Sequence, residues 1–147
     1  MQKISFDVLN LQGDGYHILI EANLFDRDFK MVVDTGASKT VLDKNTLLNA
    51  GIPEEQFQST DILSSGLGTN SMQSFILDIP LLKIGRWQRQ NYPVAVLDLS
   101  SINYAYEQMQ LAPVVGVLGG DILHTFGARI DYRKQSLTLR DRPLKLK

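Results

Sequence analysis

The chain has 147 residues, a length that fits one domain over residues 1–147 and buries a core without staples. It has no cysteines, which excludes disulfides and thiolate chemistry, and only two histidines, His17 and His124, so no metal site and no cofactor is expected. Fifteen basic residues balance sixteen acidic ones, which leaves no electrostatic footprint for nucleic acid or for an anionic membrane.

The first run, "KISFDVL", alternates apolar and polar residues and reads as strand. "GDG" at 13–15 is a turn, and "YHILIEANLF" is a β-rich run after it. "DRD" at 26–28 turns the chain into "FKMVVD", so a hairpin is expected over residues 16–33. "LDKNTLLNAGIP" predicts a short helix, with Asp43 as cap and Gly51 and Pro53 as stop. Two extended arms then flank the glycine-bearing tip "SGLGTN". "NYPVAVLDL" is a further strand, and Trp87 before it is expected on a loop or an interface. "SSINYAYEQMQ" predicts a helix capped by Ser100 or Ser101, and core cover is the expectation for its Tyr104, Tyr106 and Met109. "PVVGVLGGDILHTFG" is an apolar run leading to a short helix for which Asp121 is the expected N-cap, and "ARIDYRKQSLTLRD" is a hairpin with "RKQ" at its tip. The basic residues near the end are interleaved with Asp131 and Asp141 and read as a solvated face. No run reaches the roughly 18 apolar residues of a membrane span, and the N-terminus lacks an apolar signal core, so a cytoplasmic location is expected. The sum is a mainly β chain with two or three short helices, which suggests a barrel or sandwich.

One stretch carries chemistry. In "MVVDTGAS" three apolar residues run into a carboxylate, Asp34, and then a glycine. A carboxylate at the mouth of a buried strand is costly unless it is paired or used. The strand end holds Asp34, Thr35 and Ser38 supply hydroxyls, Gly36 lets a backbone N–H approach the carboxylate, and Ala37 is small. The tripeptide alone is also an ordinary turn, and composition gives it by chance in roughly a few per cent of chains this long.

The order of features is more telling. Two apolar residues precede Asp34-Thr35-Gly36. A glycine-bearing hairpin follows, then "VVGVLGGDIL" before a short helix, then a terminal hairpin. This order resembles the retropepsin-like aspartic proteases, including retroviral proteases and small bacterial single-domain relatives. "VLGGDIL" with "ARIDYRKQSLTL" is similar to the ending of the bacterial members. The resemblance implies an all-β, closed retropepsin-like acid-protease barrel, one lobe per chain. It implies an aspartic endopeptidase in which two carboxylates share a proton and activate a water. The chain has a single Asp-Thr-Gly, so a homodimer is expected in which each subunit contributes Asp34. Thr35 would bond across the two-fold, Gly36 would bond substrate or carboxylate, and Ala37 and Ser38 would complete the loop. Gly66, Leu67, Gly68 and Thr69 would form the tip of a flap that orders a peptide or protein substrate. Where retroviral members carry arginine after the glycine, this chain has Gly120, so that arginine's bonds are absent or replaced. Ala37 cannot donate a hydroxyl to the carboxylate, which implies a mildly acidic to near-neutral optimum. Ile18, Val32, Leu67, Val94, Val115 and Val117 are candidate wall residues for peptides with large apolar groups, with core filling as the alternative for each and the more common role for any one of them.

The remaining candidates are weaker. His17 reads as a surface or half-buried packing residue, and His124 lies three positions after Asp121, too few ligands for a metal. Asp131 reads as a strand or turn residue. The alternative function is a non-catalytic peptide- or protein-binding module on the same fold. A third reading is an unrelated β-barrel in which the tripeptide is only a turn.

Overall fold

The computed structural model describes residues 1–13, 15–60 and 74–145. The run expected as one strand breaks at buried Phe6. Strand β1 (Gln2–Ser5) joins a three-stranded sheet, whereas β2 (Asp7–Asn10) opens an eight-stranded one. The β3 (Tyr16–Leu24) and β4 (Arg27–Val33) hairpin pairs from Ile18↔Val33 to Leu24↔Arg27. Its turn residues are Phe25 and Asp26, both left-handed at φ 53° and 60°, one position earlier than "DRD" suggested. Such a two-residue turn matches the twist of the flanking strands.

After the Asp34 loop come β5 (Val41–Asp43), helix α1 (Lys44–Asn49), a 3₁₀ turn (Glu54–Gln56) and β6 (Gln58–Thr60). Strands β7 (Ser74–Ile84) and β8 (Trp87–Leu97) form a long hairpin, followed by helix α2 (Ser100–Gln108), β9 (Gly116–Leu118) and helix α3 (Gly120–Thr125). The chain ends in the hairpin of β10 (Arg129–Asp131) and β11 (Ser136–Leu139), which pairs with β1 in the order β1-β11-β10. The large sheet runs β2-β3-β4-β9-β5-β8-β7-β6. Asn23 pairs with Lys83, which joins β3 to β7 and closes six of these strands into a barrel. The expected all-β barrel is therefore the observed fold. The arms expected around the glycine tip are β6 and β7, paired from Gln58↔Ile76 to Thr60↔Ser74. The tip itself, with Gly66, Leu67, Gly68 and Thr69, lies outside the described residues. Among the described residues no helix is long and apolar enough to cross a membrane.

Side chains alternate across the barrel wall, as strand geometry requires. Ile18, Ile20, Ala22, Leu24, Met31 and Val33 point into the main core. Leu19, Val32 and Val117 point outward, and α2 covers them with Tyr106 in a second cluster. Trp87, expected on a loop or interface, opens β8 and is 1% exposed. Its indole N–H donates to the Arg140 carbonyl at 3.1 Å and its ring meets Phe126 edge-on at 5.1 Å. Of the residues expected to cover the core, Tyr106 of α2 and Met109 at its C-cap do so, whereas Tyr104 is exposed.

Asp43 caps α1 as expected and does more. Its buried carboxylate accepts from Thr46 N at 3.0 Å, Thr46 Oγ1 at 2.6 Å, Leu99 N at 2.8 Å and Asn103 Nδ2 at 3.3 Å. It therefore joins α1 to the start of α2. The serines expected to cap α2 do not occupy the cap position. Leu99 does, and Asp98 accepts from the backbone N–H and the hydroxyl of Ser100.

Removing the Asp43 carboxylate strands several buried donors, each of which costs about 1–3 kcal/mol. Asp43→Ala is expected to lower the unfolding free energy by about 2–4 kcal/mol in urea titration. Asp43→Asn should recover part of that loss. A drop below about 0.5 kcal/mol for the alanine variant would show that the joint carries little load.

Candidate active site

The loop that carries Asp34 leaves β4 at the point where its ladder with β9 ends. Val33 pairs with Leu118, and the next backbone N–H, that of Asp34, donates to the Leu118 carbonyl at 3.0 Å. Asp34 then turns the chain: Ala37 N donates to its carbonyl at 3.2 Å, and Gly36 N donates to its side-chain Oδ1 at 2.9 Å. An added Cβ at residue 36 would stand 3.3 Å from that oxygen, tighter than most real contacts. Gly36 thus serves by close approach. Asp34, Thr35, Gly36 and Ser38 are exposed in the single chain, while Ala37 packs against the second cluster.

The far end of the loop is tied to α3. Gly120 N donates to the Ala37 carbonyl at 2.7 Å and Asp121 N to the Ser38 carbonyl at 3.1 Å. Asp121 is not the N-cap of α3; Gly119 takes that position without a side-chain bond. The Asp121 carboxylate instead accepts from Thr40 N at 2.8 Å, Thr40 Oγ1 at 2.7 Å and Tyr92 OH at 3.0 Å. Thr40 Oγ1 in turn accepts from Gly119 N at 3.1 Å. Burial, and then the Asp121 charge, push the Tyr92 phenol well above its usual range, so it remains a donor. At the position where retroviral members carry arginine, these backbone and carboxylate bonds hold the loop. Asp131 keeps its expected turn role, accepting from Lys134 N at 3.0 Å.

A cleft of about 570 Å³ opens beside Asp34 and Thr35. Of the expected wall residues, Ile18, Val32 and Val117 line it, whereas Val94 and Val115 are buried in the barrel and main core and Leu67 is not described. The structure adds residues that sequence reasoning did not place there: Tyr16, Ile102 of α2, and Ile130 and Tyr132 of the terminal hairpin. His17 also lines the cleft, half-buried, with Nδ1 2.9 Å from the Tyr106 hydroxyl. The strand alternation that put Leu19 on the outer face placed His17 there too, which was the one available signal. His124 is exposed on α3, and among the described residues no three His, Cys, Asp or Glu side chains cluster as metal ligands.

Gly119 is where the loop and α3 pass closest. A Cβ there would lie 2.5 Å from the Lys39 carbonyl and 2.9 Å from that of Ala37, whereas at Gly120 the nearest atom is 3.4 Å away. Gly119→Ala is expected to cost about 2–3 kcal/mol or more of stability in thermal or urea unfolding. Gly120→Ala should stay within about 1 kcal/mol of the parent. Equal losses in the two variants would refute this account of the loop.

Comparison with known proteins follows the same line. The aspartyl protease family model matches residues 20–122. A retropepsin-like aspartic protease from Rickettsia conorii superposes with a TM-score of 0.55 at 23% identity, covering 94% of this chain and 91% of that one. The retroviral protease-like domain of Ddi1 from Leishmania major gives 0.54 at 14% identity, with 86% and 90% covered. A search among curated proteins gives no significant match. With the family model spanning well over half of the chain, from β3 through the Asp34 loop into α3, this protein belongs to the aspartyl protease family and has a retropepsin-like fold.

Proposed function

We propose that the chain is an aspartic endopeptidase that works as a homodimer, with Asp34 of each subunit forming one catalytic pair. The observation that carries this reading is the Asp34 loop. The carboxylate is set by backbone bonds at both ends of its loop, is exposed in the single chain, and lines a cleft of mixed character that Ile18, Val32 and Val117 share. Asp34 is the only carboxylate among the described residues lining that cleft. One carboxylate cannot both accept a proton from water and polarise a carbonyl, so a second must come from another copy. Thr35, Ile130, Leu123 and Leu144 border a second cleft of about 330 Å³ next to the same loop, apolar surface that a partner subunit would cover.

In the pair, two carboxylates in contact hold one proton between them. The ionised Asp34 accepts a proton from water as the water oxygen attacks the scissile carbonyl carbon. The protonated Asp34 donates to the carbonyl oxygen. Collapse of the tetrahedral intermediate passes a proton to the amide nitrogen and breaks the C–N bond. Gly36 N keeps one Asp34 oxygen oriented throughout. Thr35, Ala37 and Ser38 shape the loop, and Gly66, Leu67, Gly68 and Thr69 are assigned to the flap by resemblance alone.

Asp34→Asn is expected to leave folding unchanged and to reduce peptide-library cleavage about 10²- to 10⁴-fold, with sedimentation showing a dimer for the parent. The parent's optimum should be mildly acidic to near neutral. A monomer that binds peptides equally well with and without the carboxylate, and cuts none, would establish the binding-module alternative instead.

A further inference from the structure

Helix α2 takes no part in the chemistry above, yet it reaches the cleft. Its Ile102 lines the wall beside Asp34, and its Tyr106 lies 1% exposed in the cluster with Leu19, Val32 and Val117. The Tyr106 hydroxyl is 2.9 Å from His17 Nδ1, and the two rings are 5.8 Å apart. Burial pushes the Tyr106 phenol up to about 12, so it keeps its hydrogen at physiological pH. Among the described residues His17 is its only hydrogen-bond partner. A buried hydroxyl hydrogen without an acceptor is expensive, so the phenol donates to Nδ1. With Nδ1 accepting, the uncharged form of the ring has its own hydrogen on Nε2. One edge of the ring is thereby committed to Tyr106, and the same residue lines the cleft.

We propose that His17 is a specificity residue whose Nε2–H, oriented by Tyr106, reads a side-chain oxygen of the substrate residue lodged beside Asp34, so that the chain prefers a carboxamide there over an aliphatic side chain of similar length. This inference rests on the peptidase reading and names its substrate class. Ile18, Val32, Ile102 and Val117 accept the methylene stem. An aliphatic side chain in the same place leaves the Nε2–H without water or a partner, the type of mismatch that discriminates strongly between substrates. A carboxylate side chain finds the same donor but meets the charge of Asp34, so glutamine is preferred to glutamate.

The test starts from a peptide that the full chain cleaves and replaces the residue next to the cut by glutamine, glutamate or norleucine. The parent is expected to favour glutamine over norleucine about tenfold in kcat/KM. Tyr106→Phe, which removes the orienting hydrogen and little volume, should reduce the ratio to below about threefold while norleucine turnover persists. His17→Leu should invert it, and His17→Gln should restore part of it. Long-range ¹⁵N–¹H spectra of the parent should show hydrogen on His17 Nε2 and none on Nδ1. A parent ratio of one or less, ratios unchanged in both variants, or the opposite tautomer would overturn the proposal. If the parent cuts no peptide, the peptidase reading has failed, and binding of the same glutamine and norleucine peptides decides the role of His17. A tenfold preference lost in His17→Leu upholds it and equal affinities overturn it.

Discussion

The Asp121 carboxylate is the tie on which the Asp34 loop depends. It gathers the Thr40 N–H, the Thr40 hydroxyl and the Tyr92 hydroxyl, and so binds the end of that loop to α3 and to the β8 strand of the barrel. Bonds from donors to an ionised acceptor are shorter and stronger than neutral ones. The Gly119 N–H adds a bond to the same hydroxyl, and no side chain at residue 119 could fit against Lys39. The start of the loop is held independently, by the continuation of the β4–β9 ladder into the Asp34 N–H. A carboxylate fixed by backbone at both ends of its loop can stand exposed in a single chain and still be positioned. That is the property a group needs if a second copy is to meet it.

The barrel wall has two uses because its strands alternate. The inward face of β3 and β4 supplies the main core, of which Ile18 and Val33 also line the cleft. The outward face carries Leu19, Val32 and Val117, and α2 covers it. Val32 and Val117 belong both to that cluster and to the cleft wall. A helix inserted between β8 and β9 thus touches the cleft through shared residues. The packing of α2 therefore bears on the cleft wall and, through Ala37, which packs against the same cluster, on the Asp34 loop. The Asp43 carboxylate stabilises this arrangement by holding α1 and the start of α2 together.

Local signals read well in the sequence. The 16–33 hairpin, the Asp43 cap of α1, the terminal hairpin and the Gly36 approach to Asp34 each depend on residues within a few positions of one another. The misreadings share a different feature. Trp87 was taken for a loop or interface residue, and its partner Arg140 is 53 positions away. Asp121 was taken for a helix cap, and Thr40 is 81 positions away. His17 is half-buried and packed as expected, but its partner Tyr106, 89 positions away, was equally out of reach. Turn and cap propensities contain no information about such pairings. The split of "KISFDVL" at Phe6 has the same origin, because one half pairs with the end of the chain and the other with β3.

The amino-acid sequence by itself determined the chain's β character, its helix stops and the presence of a single Asp-Thr-Gly loop at the end of an apolar strand. These follow from side-chain periodicity and from backbone preferences that act over a turn or a strand. Only the tertiary structure decided which carboxylate holds that loop, which strands close the barrel, and that α2 stands behind the cleft. Each of those depends on groups brought together from distant positions, where burial removes water and makes every donor find a partner.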